Sequence, residues 1–288
     1  MPGETRKAVL AQPEWLRRVP TGKELPAEAS VVHVGCGTSF HAAQTGGWAM
    51  QALEAVLRPP SADIMVCVSH EGATALTMEA ERAFGGDVWL VTGRPDTEFA
   101  ELVDEVIVCT PEIERSWCHT ASYTCAVAAI DALHGEDISW LPDAVEAALA
   151  REIETPRQDR FVIAGAGRDW ATAQEAALKL REGAQVVAES YETEQLLHGY
   201  LAAVDDRTRA YVLEGEGRAA ERAADLVQAL ETLGVETTLL PTTHPVVDIV
   251  PFHLLTLAVA EARGIDPDPI GREPGSRLAV AAGEAYPH

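Results

Sequence analysis

Lysine is nearly missing from this chain: there are three, Lys7, Lys23 and Lys179. Lys and Arg together number 22 against 45 Asp and Glu, for a net charge of −23. With no basic cluster to release counterions, nucleic acid and anionic membrane surfaces are not expected as partners. An anionic ligand would not be steered from afar and would have to be held locally. Metal-ligand spacings such as H-x-x-x-H are missing, and so is a G-x-S-x-G elbow, so neither a metal nor a serine nucleophile is expected. The five cysteines (Cys36, Cys67, Cys109, Cys118, Cys125) form no C-x-x-C. They read as reduced thiols of a cytoplasmic protein. No apolar run looks long enough to span a membrane, and the N-terminal stretch lacks the apolar core of a signal peptide. Gly35-x-Gly37-x-x-Phe40 and Gly165-x-Gly167-x-x-Trp170 both lack the third glycine of a dinucleotide fingerprint, so no cofactor is expected.

What is present alternates. Short apolar runs at 30–35, 64–68, 88–92 and 106–109 are separated by helical patterns at 40–57 and 74–84. Long helices follow at 117–133 and 145–154. After a polar, proline-bearing stretch at 155–160 the pattern restarts, with strands at 161–164, 185–189, 210–213 and 237–240 and helices at 169–183, 218–233 and 252–263. This order predicts an α/β fold with parallel sheets. VVHVGCGTSF and FVIAGAGRDW are both strand, glycine turn, helix. The chain therefore reads as two similar doubly wound halves, 1–154 and 155–288, related by internal duplication.

Two turns of the first half carry hydroxyls: Gly37-Thr38-Ser39 and Ser69-x-x-Gly72-x-Thr74. Each precedes a helix, so each is either an ordinary N-cap or part of an oxyanion cradle. Two such turns at neighbouring strand ends favour a ligand crevice. In the second half, Glu175, Lys179 and Glu182 fall at i, i+4, i+7, which sets a carboxylate on either side of an ammonium on one helical stripe. Alone, this is also the pattern of a solvated ion-paired face. His198-Gly199 ends the next short helix and is either a C-cap or an acid/base group at a cleft edge. His33, inside an apolar strand, reads as a core histidine. His41 and His119 lie near strand ends and either face the crevice or pack.

The ordered set CGTS at 36–39, S-x-x-G-x-T at 69–74, ALKLRE at 177–182 and HG at 198–199 resembles the sugar isomerase (SIS) domain family in tandem form. So do AQP at 11–13 and VPFHLL at 250–255. This family includes the isomerase half of glucosamine-6-phosphate synthase and stand-alone sugar-phosphate deaminases and deglycases. The resemblance implies two flavodoxin-like halves and a sugar or sugar phosphate gripped by Cys36, Gly37, Thr38, Ser39, Ser69, His70 and Thr74. It implies Glu182 as the base that moves a proton between C1 and C2, Lys179 beside it, and His198 opening the ring from a second subunit of a homodimer. It implies an aldose–ketose isomerase, deaminase or deglycase acting on an amino- or amine-linked sugar. The alternative is a non-catalytic sugar-phosphate sensor, which would need neither Glu182 nor His198. No cysteine-led glutaminase segment stands ahead of these motifs, so no glutamine-fed synthase is expected.

Four departures from the family pattern matter. Glu71 stands where a hydroxyl is usual and would repel a phosphate at close range. His70 replaces a glutamine and could offset that charge if protonated, and His119 replaces a small residue. Val280 aligns with the lysine of the synthase tail, so imine chemistry through a tail lysine is not expected.

Overall fold

The computed structural model describes residues 3–285. Helix α1 (Glu4–Leu16) precedes a five-stranded sheet. Its strands are β1 (Val31–Gly35), β2 (Ala49–Gln51), β3 (Ile64–Val68), β4 (Asp87–Thr92) and β5 (Glu105–Val108). Helices α2 (Thr38–Gln44), α3 (Ala52–Leu57), α4 (Ala75–Ala83) and α5 (Glu98–Leu102) connect them. Helices α6 (Ala121–Leu133) and α7 (Leu141–Leu149) lead on to β6 (Arg160–Gly165), α8 (Arg168–Ala184), β7 (Val187–Glu192), α9 (Thr193–Leu197), β8 (Thr208–Leu213), α10 (Arg218–Thr232) and β9 (Glu236–Leu240). Helices α11 (Pro245–Asp248), α12 (Val250–Arg263) and α13 (Arg277–Ala285) follow.

The first sheet runs β2-β1-β3-β4-β5 and the second β7-β6-β8-β9, with every pairing parallel. The fold is thus α/β with two parallel sheets, as the alternation implies. In each sheet the order reverses beside the first strand, at β1/β3 and at β6/β8. Such a switch point opens a crevice beyond the carboxyl ends of the strands.

Alternation along the strands decides which core each residue joins. Val66, Val68, Val91, Phe161 and Ile163 share one large cluster with α6, α8 and α12. Val32, Val34, Met65, Cys67 and Leu90 form a second cluster on the other face of the first sheet, and Val162, Ala164, Ala210 and Val212 form a third. Every residue of α6 is buried, which accounts for its apolar circumference.

Close packing explains two glycine pairs. A side chain at Gly35 would strike the Ser39 backbone at 2.7 Å, and one at Gly165 the Asp169 carbonyl at 2.5 Å. Gly37 and Gly167, with φ of 53° and 60°, start α2 and α8 in matching conformations that favour glycine.

Two expectations are corrected. The segment 40–57 is not one helix: α2 ends at Gln44, and β2 adds an edge strand before α3. The Gly46-Gly47 pair stops the helix, with Gly47 at φ 104° and Gly46 pressed against the His33 ring. Second, 245–263 is long and apolar enough to cross a membrane by length and composition, but 67% of its span is buried inside the fold. Packing of α12 against α8 and α7 is sufficient reason for that composition.

His33 is a satisfied core residue. Its Nδ1 lies 3.3 Å from the Trp48 carbonyl and its Nε2 3.1 Å from His134 Nε2. Burial, then the neighbouring His134, pushes it down to about 4, and burial pushes His253 down to about 3. Both values lie below the 6.5 of an unperturbed histidine. The unfolded chain therefore takes up these protons first. The stability they lend is complete above pH 6.5 and drains as pH falls toward the folded values, by about 1.4 kcal/mol per pH unit for each. Denaturant titrations between pH 7 and 4 should show that slope, and His253→Gln should make it shallower.

Candidate active site

The β1/β3 switch point brings the loops 36–39 and 69–74 together. A recess with an empty volume of about 290 Å³ opens there, lined among others by Thr38, Ser39, His70, His119, Ser122 and Tyr123. The hydroxyls of the two turns are not helix caps. Neither α2 nor α4 has a side-chain hydrogen bond at its N-cap. Ser69 Oγ and Thr74 Oγ1 instead meet each other at 3.0 Å, and Thr38 Oγ1 donates to Glu175 at 3.2 Å. Ordinary capping, the competing account of these turns, is therefore not what the residues do. Cys36 is turned away from the recess, its Sγ 3.9 Å from Thr77 Oγ1.

The stripe on α8 reaches this place from the other sheet. Lys179 is buried, and Nζ lies 2.6 Å from Glu182, 3.4 Å from Glu175 and 3.1 Å from Thr38 Oγ1. It is not a solvated face. Burial opposes the Lys179 charge, but Glu175 and Glu182 outweigh it and hold the ammonium well above its ordinary value. Burial likewise opposes the charge of Glu175, and Lys179 and His41 reverse it, so this carboxylate stays ionised. His41 Nδ1 donates to Glu175 at 2.7 Å. Glu182 is the half-open member, with 22% of its side chain exposed. The ammonium and the Thr38 hydroxyl thus tie α8 to the turn that opens the recess.

His70 and His119 stand edge to face, with ring centroids 5.1 Å apart. Glu114 N–H donates to His70 Nε2 at 3.1 Å, which leaves the His70 proton on Nδ1. Burial first, then the neighbouring His119, lowers His70 to about 4; burial, then Lys179, lowers His119 to about 4. His70 is therefore neutral at ordinary pH and supplies no positive charge to offset Glu71. That role falls to Arg94, 3.5 Å from the Glu71 carboxylate.

Sequence reasoning missed Glu114. Its buried carboxylate accepts from the N–H and hydroxyl of both Thr120 and Ser122 at 2.7 to 3.0 Å and so closes the start of α6. The usual capping pattern places a carboxylate after the cap residue rather than six residues before it, so no local signal marked it.

His198 is not brought to this group within one chain. Its ring is 73% exposed and pairs with Glu194 at 2.8 Å. Val280 is half exposed on α13.

Residues 156–264 match the model of the SIS domain. The matched span holds α8 with Glu175, Lys179 and Glu182, and also His198. The matched span takes in the second sheet and not the first, so the tandem arrangement does not follow from it. Over 85% of its length the chain is 28% identical to a glutamine–fructose-6-phosphate aminotransferase (isomerizing) of Symbiobacterium thermophilum, covering 51% of that protein. The same enzyme of Gloeobacter violaceus is 26% identical over 82% of the chain and 49% of its own length. The chain spans about half the length of these curated relatives. Among solved structures, a glucosamine-6-phosphate deaminase of Thermotoga maritima superposes with a TM-score of 0.76 at 20% identity, covering 96% of this chain and 98% of that one. A tagatose-6-phosphate ketose/aldose isomerase of Escherichia coli gives 0.75 at 16% identity, covering 93% and 95%. These two likenesses concern the fold.

Proposed function

We propose that this protein is an SIS-type enzyme that shifts a proton between C1 and C2 of an open-chain amino- or amine-linked sugar phosphate. The outcome would be isomerisation, deamination or deglycation. The observation that carries the proposal is the pairing of a half-open Glu182 with a buried, charged Lys179 beside the hydroxyl-lined recess. Enolisation needs a carboxylate to take the carbon-bound proton and a donor for the oxygen that becomes negative. Glu182 would be that carboxylate, oriented by Lys179 2.6 Å away, and the hydroxyls that line the recess would be the donors. A binding module has no need of a buried ammonium between two carboxylates, an arrangement that costs desolvation. The relatives named above carry names for reactions on fructose, glucosamine and tagatose 6-phosphates. The duplication of strand, glycine turn and helix at 31–44 and 160–184 supports a reading as two SIS halves, 1–154 and 155–288. A homodimer sharing its sites would give His198 a place in the chemistry that one chain does not give it.

The phosphate would meet Ser39, Ser69, Thr74 and the first N–H groups of the two turns. Because Arg94 already pairs with Glu71, Glu71→Ser should change phosphate affinity less than about threefold, or under ~0.7 kcal/mol. Calorimetry with fructose and glucosamine 6-phosphates and their unphosphorylated sugars tests both points. The phosphates should bind and the free sugars should be much weaker. Equal binding of both forms would remove the phosphate from the reading.

A further inference from the structure

We infer that the His119 imidazole moves the proton on the heteroatoms at C1 and C2 of the sugar, while Glu182 moves the proton on the carbons. This deepens the enzymatic reading above and rests on it. Enolisation leaves a negative oxygen on C1, and completing the shift needs a proton to pass to that oxygen from the heteroatom on C2. The hydroxyls of the recess can bond to the oxygen but release a proton too reluctantly to relay one. Two imidazoles line the recess, His70 and His119. His70 is held at Nε2 by the Glu114 N–H. Among the described residues, no hydrogen bond occupies either nitrogen of His119. Its place is fixed all the same. The N–H of Cys118 donates to Ser116 Oγ at 3.1 Å and that of Thr120 to Glu114 at 2.7 Å, which ties down the backbone on either side. Cys118 and Thr120 are buried, whereas His119 between them is partly open and faces the recess. The His70 ring braces it edge to face. The Lys179 ammonium and the Glu175 carboxylate are near enough to act on its charge. Lys179 in turn bonds Thr38 of the recess wall at 3.1 Å and Glu182 at 2.6 Å. His119 therefore belongs both to the hydroxyl-lined wall and to the surroundings of the stripe that carries the base. Burial and Lys179 keep its ring neutral, and a neutral imidazole offers an N–H donor and a lone-pair acceptor at once.

The step balances on these groups. In an open-chain aldose, Glu182 takes the C2 proton, the C2–H electron pair becomes the C1–C2 double bond, and the carbonyl pair moves onto the C1 oxygen. His119 gives its N–H proton to that oxygen and recovers one from the hydroxyl on C2, so the imidazole ends neutral. The pair freed from that O–H bond forms the C2 carbonyl, and the C1–C2 pair takes the proton from Glu182 at C1. With an amine on C2 the same transfers leave an imine there, which water hydrolyses to the ketone and free amine. Isomerisation and deamination then share one relay.

The test follows fructose 6-phosphate and glucosamine 6-phosphate by NMR in deuterated water and reads both the label in returned sugar and the product formed. His119→Ala should slow product formation about a hundredfold. Label in the returned sugar, per product formed, should rise at least about tenfold, because the enolate collapses back instead of going forward. A mere packing defect would slow both and leave that ratio unchanged. His119→Gln, which keeps the size and a hydrogen bond but cannot relay a proton, should raise the ratio in the same way. An unchanged ratio in both variants, or product formation within about threefold of wild type in His119→Ala, would overturn the relay. Calorimetry gives a second reading that needs no turnover. The probes are 5-phosphoarabinonohydroxamate, an open-chain mimic of the enolate, and glucitol 6-phosphate, an open chain without that charge. His119→Ala should weaken the hydroxamate about tenfold more than the polyol, and equal weakening would contradict the assignment. Glu182→Gln separates the two proposals. Label uptake that survives this change defeats the enzymatic reading, whatever His119 does. Uptake lost there, with an unchanged ratio in the His119 variants, defeats the relay alone. A wild-type protein inert to both sugars would overturn both.

Discussion

Glu182→Gln is expected to bind sugar phosphate as the wild type does and to lose C1/C2 proton exchange by two to four orders of magnitude, the usual worth of a positioned general base. The change is close to isosteric, and the half-open side chain is not needed to fill a core. It also leaves Lys179 with Glu175 as a partner, so the buried ammonium keeps a counter-charge. Affinity should therefore hold while chemistry fails. Isothermal titration and deuterium uptake, measured on one preparation, separate the two. Retained exchange would remove Glu182 from the reaction. Lost binding with folded protein would make it a ligand contact rather than a base.

Lys179→Met should cost the fold about 3–5 kcal/mol, the usual result of removing one partner from a buried ion pair. Glu175 would then face only His41 and Thr38 with no solvent exposure. Its carboxylate would then be a buried charge that has lost the ammonium beside it. Equilibrium unfolding at neutral pH measures the loss. The double variant Lys179→Met with Glu175→Gln should recover a large part of it, because no unpaired charge remains. A single variant less than about 1 kcal/mol weaker than wild type would show that the pair behaves like a surface ion pair. The same variant should also lose most of its activity, because Glu182 loses the ammonium that orients it.

The strands were legible because their apolar runs are short and unbroken, as parallel strands buried on both faces require. Ile64–Val68 is wholly buried, and β1 is buried from its second residue on. The helix on 168–184 was legible from its 3.6-residue period. Strand β2 was not. At three residues, Ala49–Gln51 is shorter than any pattern window, and its register with His33, Val34 and Gly35 is a property of the sheet. The Gly46-Gly47 pair was the one available sign.

The site followed the same division. Glu175, Lys179 and Glu182 could be grouped from spacing, because a helix fixes which residues share a face. That the stripe is buried, and that Thr38 and His41 close over it, depends on contacts spanning 134 to 141 residues of sequence. Glu71 looked like an obstacle to phosphate until its neighbour across the next strand, Arg94, was in view. His70 looked like a usable cation until its burial and the Glu114 amide fixed it as a neutral ring. In each case the residue type was evident and the partner that sets its charge was not.

The most direct measurement is deuterium incorporation by the wild-type protein into glucosamine 6-phosphate and fructose 6-phosphate in deuterated water. Label should appear at C2 of the aldose and C1 of the ketose, and none should appear with Glu182→Gln. Sugar phosphate that binds tightly and returns unlabelled from the wild type would contradict the account.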